Sequence, residues 1–169
     1  MAIGSSTQAD PAQAEVVIER VFDAPRDLVW RAWTEPEHFK RWYGPTGMET
    51  VACDVDLRVG GRRSIGMRSP DGQQYHTTGE YRELEPPHRF VATESPADAA
   101  GNSLPPSAYG MPDGMSMETI VTVTLEDLGD GRTKMTLRQA GFPSEDWAQG
   151  AGRGWNQAFD KLTAILAAM

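Results

Sequence analysis

The first fourteen residues, MAIGSSTQADPAQA, are small and polar and show no apolar period, which predicts a mobile tail over 1–14 ahead of one domain over 15–169. From Val16 the pattern changes, and VVIERVF (16–22) is β-branched and aromatic, as a strand requires. Ala24-Pro25 opens a short helix with Pro at its first position and Leu28, Val29, Ala32 and Trp33 on one face. Thr34-Glu35-Pro36 restarts the chain as a second short helix that carries Phe39 and Trp42, and Tyr43-Gly44-Pro45 ends it. Strand patterns follow over 49–57, 62–68, 74–84, 89–95, 117–127 and 132–140. Gly60-Gly61, Ser69-Pro70-Asp71-Gly72, Pro86-Pro87 and the hairpin sequence Gly129-Asp130-Gly131 separate them. Residues 96–115, rich in Pro, Gly, Ala and Ser, form a loop long enough to suggest function.

A final helix is predicted over 144–167. Ser144 caps it, and Glu145 and Asp146 suit its positive end. Trp147, Ala151, Trp155, Phe159, Leu162, Ile165 or Leu166, and Met169 repeat at helical spacing, while Gly150, Gly152 and Gly154 weaken the first half. The element order is therefore strand, two short helices, a run of antiparallel strands and one long helix, an α+β arrangement without an internal repeat.

Composition narrows the function. Apolar residues make up 39% of the 169, which allows a sizeable core. The net charge of −8 argues against a general nucleic-acid binder, which carries a basic face. A lone cysteine, Cys53, can form no internal disulfide, no apolar run is long enough to span a membrane, and the N-terminus lacks the features of a signal peptide. A reducing, cytoplasmic address is expected. The phosphate-loop, zinc-protease, C-x-x-C and nucleophile-elbow motifs are all missing, so no cofactor is expected. Gly150-Ala151-Gly152-Arg153-Gly154 follows a helix start rather than a strand, which argues against a dinucleotide loop. His38, His76 and His88 lack metal-ligand spacing, and no metal is expected.

Two groups of residues remain as candidate chemistry. Arg63 shares strand parity with Ile65 and Met67, so its guanidinium should point inward. An inward Arg needs an acceptor, either an internal carboxylate, with Glu83 the candidate by parity, or an anionic ligand group. Trp42, Met67, Tyr81, Tyr109, Met117 and Trp155, with Tyr43, Tyr75, Met111, Met115 and Trp147, are either core packing or the adaptable wall of a cavity.

The segments F-D-A-P-R-D-L-V-W-R-A-W-T-E-P-E-H-F-K-R-W-Y-G-P (22–45), D-L-R-V-G-G-R (56–62), Y-G-M-P (109–112) and G-W-N-Q-A-F-D-K-L (154–162) carry a resemblance. So do P-D-G-Q-Q-Y-H-T-T-G-E-Y-R-E-L-E-P-P (70–87) and E-T-I-V-T-V-T-L (118–125). Over residues 15–167 the chain resembles the SRPBCC superfamily, in the branch named after the activator of the heat-shock-protein-90 ATPase. The resemblance implies a START-like or Bet v 1-like helix-grip fold, in which a curved antiparallel sheet wraps the long helix and encloses a cavity. Arg63 stands where relatives usually have an aromatic or apolar residue, and Ala151 where many have a histidine.

Function transfers less well than fold. The leading expectation is a small hydrophobic or amphipathic ligand, lipid-like or polyketide-like, in a pocket lined by Trp42, Met67, Tyr81, Tyr109, Met117 and Trp155. Its anionic or strongly polar end would sit at Arg63. One alternative is a cyclase or hydrolase-like enzyme using His76, Glu83 or Tyr81 for proton transfer. Another is a co-chaperone that stimulates a heat-shock ATPase.

Overall fold

The computed structural model describes residues 14–110, 112 and 116–169. The tail expectation therefore lies outside the described residues except at Ala14, which opens the first strand instead of ending a tail. The strands are β1 (Ala14–Phe22), β2 (Glu49–Val55), β3 (Arg62–Arg68), β4 (Gln74–Glu85), β5 (Arg89–Ala97), β6 (Thr119–Gly129) and β7 (Arg132–Phe142). The helices are α1 (Arg26–Thr34), α2 (Pro36–Phe39) and α3 (Glu145–Ala168), with a 3-10 turn at Pro106–Tyr109 in the long loop. All seven strands join one curved antiparallel sheet in the order β1-β7-β6-β5-β4-β3-β2. No helix among the described residues is long and apolar enough to cross a membrane.

Alternation positions the core. Val121, Val123 and Leu125 of β6 and Met135 and Leu137 of β7 are buried on the concave face, where α1 and α3 pack. Arg20 of β1 reaches α3 from the same side, donating to Asp160 Oδ1 at 2.7 Å. Pro25 caps α1 instead of filling its first position, so the helix starts one residue later than expected, and α1 ends at Thr34, since a residue ahead of Pro36 disfavours helix. The β6–β7 hairpin closes through Asp130 and Gly131, both at positive φ (57° and 75°) as a tight two-residue turn needs.

Ser144 caps α3 by accepting from the Trp147 amide at 3.3 Å. Phe159, Leu162 and Leu166 seal its C-terminal half into the core, whereas Gly150, Ala151 and Gly154 keep the first half low over the sheet. At Gly150 an added Cβ would meet nothing closer than Arg153 Nη2 at 3.7 Å. Gly150→Ala is therefore expected to stabilise the fold by about 0.8–1 kcal/mol through helix propensity, read as a rise in melting temperature of about 2–4 °C. An unchanged or lower melting temperature would contradict this.

Candidate functional site

The low first half of α3 leaves a cavity of about 550 Å³ between the helix and the concave face, open on one side. Trp147, Gly150, Ala151, Gly154 and Trp155 form its helical wall. Met67 of β3, Thr77 of β4, Pro96 of β5 and Met117, just ahead of β6, form the facing wall. The walls are mostly apolar; Tyr43, Glu94, Thr119 and Gln139 form one polar patch, with Thr77 and Asp146 the other polar side chains on the lining.

That patch is a connected hydrogen-bond network. Trp155 Nε1 donates to Gln139 Oε1 at 2.7 Å, and Gln139 Nε2 donates to Glu94 Oε2 at 3.1 Å and to Thr119 Oγ1 at 2.8 Å. The Thr119 hydroxyl donates to the Glu94 carbonyl at 3.2 Å, and the Tyr43 hydroxyl lies 3.4 Å from Glu94 Oε1. Burial raises the Glu94 carboxyl above its ordinary value, while the nearby Arg63 charge and the donors Gln139 and Tyr43 pull it back. Burial, followed by the Glu94 charge, pushes the Tyr43 phenol well above its ordinary value, so it remains a donor.

Arg63 points inward with Ile65, and each is 4% exposed. It sits behind the cavity rather than in its wall, with its guanidinium 5.5–5.8 Å from the ring centres of Phe39, Tyr81 and Phe90. Its Nε has no hydrogen-bond partner, and the Tyr81 hydroxyl beside it makes no well-directed bond. Glu83 is not its partner. The β4–β5 ladder shifts register between Tyr81 and Glu83, which sends Glu83 outward to accept from Arg89 Nη1 at 2.6 Å. The carboxylate whose charge Arg63 moderates is Glu94.

The structure brings Met67, Met117 and Trp155 into the cavity wall. Trp42 is in the core instead, fully buried, with Nε1 donating to the Ala32 carbonyl at 3.0 Å. Tyr81 is buried beneath Phe90, and Tyr109 stands outside the wall with its ring 5.7 Å from that of Trp147. Met111 and Met115 lie outside the described residues. Of the groups expected to move protons, His76 alternates away from Thr77 and lies over Gly66, opposite the cavity. Burial pushes the Cys53 thiol up to about 11, the reverse of an activated nucleophile. Glu94 and Gln139 were missed, although each continues an inward row, Phe90-Ala92-Glu94 on β5 and Met135-Leu137-Gln139 on β7.

A family profile described as Activator of Hsp90 ATPase homolog 1-like protein matches residues 23–167. A crystal structure from Chromobacterium violaceum is 28% identical, with 90% of this chain and 96% of that chain covered and a TM-score of 0.73. A solution structure from Arthrobacter aurescens is 27% identical over 97% of this chain and 92% of that chain, with a TM-score of 0.72. The AHSA1 protein of Silicibacter pomeroyi shares the fold at 22% identity and a TM-score of 0.75, over 92% of this chain and 99% of that one. No curated protein sequence matches the chain. With nearly its whole length covered, and with the helix-grip architecture those structures share, the chain belongs to the Activator of Hsp90 ATPase homolog 1-like family.

Proposed function

We propose that the protein binds a small amphipathic molecule in the cavity, its apolar body along Trp147, Ala151 and Trp155 and its polar end at Glu94. The observation that carries this reading is the cavity itself, about 550 Å³ with apolar walls and one polar patch. That size and character suit a small-molecule site. A domain over 15–169 in a reducing, cytoplasmic setting fits the reading, since the chain has a single cysteine. The cavity supports it over a proton-transfer enzyme built on His76 or Glu83, which face elsewhere. The family description raises a co-chaperone role, for which a pull-down with heat-shock protein 90 is the direct assay.

Binding is tested with N-phenyl-1-naphthylamine, a neutral fluorescent probe. Titration is expected to quench tryptophan emission saturably, because Trp155 and Trp147 line the cavity. Native mass spectrometry of freshly purified protein is expected to show a copurifying small molecule. Non-saturable quenching together with a bare protein mass would end the binding reading.

A further inference from the structure

The polar patch specifies the chemistry of the ligand's polar end, given that the cavity takes a small molecule. Its donors are already committed. The Trp155 indole N–H is directed at Gln139, the Gln139 amide at Glu94 and Thr119, the Thr119 hydroxyl at the Glu94 carbonyl, and the Tyr43 hydroxyl at Glu94. What remains free is acceptor capacity. A carboxylate offers about four lone-pair sites, and Glu94 uses one on each oxygen toward Gln139 and Tyr43. A ligand group that meets this patch must therefore donate.

Charge narrows the class further. Two charges are built into the buried region, the Glu94 carboxylate and the Arg63 guanidinium held among Phe39, Tyr81 and Phe90. They cancel. An ammonium would leave an uncompensated positive charge in an apolar cavity, and a carboxylate at the patch would meet Glu94 with no donor of the patch free to receive it. Asp146, the other carboxylate on the wall, is solvent-exposed in the first turn of α3 and does not alter the balance at the patch.

We infer that the ligand carries a neutral hydroxyl, phenolic or alcoholic, that donates to Glu94, and that Arg63 neutralises the site from behind without touching the ligand. The assignment reverses the expectation of an anionic end at Arg63. An O–H donating to a carboxylate is a short, charge-assisted bond, so a single hydroxyl orients the molecule.

Three probes of one size test this by calorimetric titration near neutral pH: 2-naphthol, 2-naphthoate and 2-naphthylmethylammonium. The naphthol is expected to bind at least about tenfold more tightly than either ion. In Glu94→Gln, where an amide can donate, the preference for naphthol over naphthoate is expected to fall at least about fivefold. If that variant does not fold, the wild-type ranking decides alone. An ion binding as tightly as the naphthol, or an unchanged preference in folded Glu94→Gln, overturns the inference. So does failure of all three probes while N-phenyl-1-naphthylamine still binds. If that neutral probe fails as well, the cavity reading falls and the inference falls with it.

Discussion

Arg63→Ala is expected to destabilise the protein by about 3–5 kcal/mol at neutral pH, measured by urea unfolding. The substitution removes a charge that offsets the burial of Glu94, and it empties the space between Phe39, Tyr81 and Phe90. Arg63→Met refills most of that space, so the difference between the two variants reads the packing share. The electrostatic share is read by pH. Burial already raises Glu94 above its ordinary value of 4.5, so its contribution is fully present below that value and is lost as pH rises through the folded one. Without Arg63 the folded value moves higher and more is lost above it. The cost of Arg63→Met is therefore expected to grow from mildly acidic to neutral pH. Combining it with Glu94→Gln should recover part of that cost, with a coupling of about 0.5–3 kcal/mol. An Arg63→Ala loss under about 1 kcal/mol, or a cost independent of pH, would contradict a stabilising effect of the Arg63 charge on Glu94.

The same residues show how far the sequence was legible. Arg63 was placed correctly because β3 is regular, and parity with Ile65 carries through an unbroken ladder to β4. Glu83 was misplaced because parity along β4 assumes a register that shifts just after Tyr81; the inward row passes from Tyr81 to Leu84, which packs on the core, and that change of parity is the mark the shift leaves in the sequence. Glu94 and Gln139 lay on inward rows, but their meaning depends on meeting each other across β5, β6 and β7, a relation between strands that a pass along one strand cannot supply. Helical spacing identified α3 and its apolar stripe, and two of the glycines that weaken its first half, Gly150 and Gly154, are among the small residues that leave the open space above the sheet. It could not separate Trp155, which reaches the cavity, from Trp42, whose indole turns into the core to meet the Ala32 carbonyl.

Core and cavity meet at Trp33, and Trp33→Ala is expected to affect both. The ring lies 4.8–6.1 Å from the ring centres of Phe39, Trp42, Phe90, Trp155 and Phe159, and its Nε1–H donates to Met135 Sδ at 3.2 Å. Truncating a buried Trp costs about 3–5 kcal/mol, because the transfer energy is lost and the void closes only in part. At about 2–4 °C per kcal/mol for a chain of this length, the melting temperature should fall by about 6–20 °C. Trp33→Phe keeps most of the ring contact and loses the N–H donor, so its cost should stay within about 0.5–3 kcal/mol. The void in the alanine variant adjoins Trp155, whose indole orients Gln139 and, through it, Glu94. A loosened Trp155 gives the patch a second arrangement, and binding of 2-naphthol should weaken at temperatures where Trp33→Ala is still fully folded. Trp33→Phe, which still supports Trp155, should bind nearly as the wild type does. If the folded alanine variant binds 2-naphthol with unchanged affinity, the patch is held by the strands alone and the indole at 155 serves only as wall.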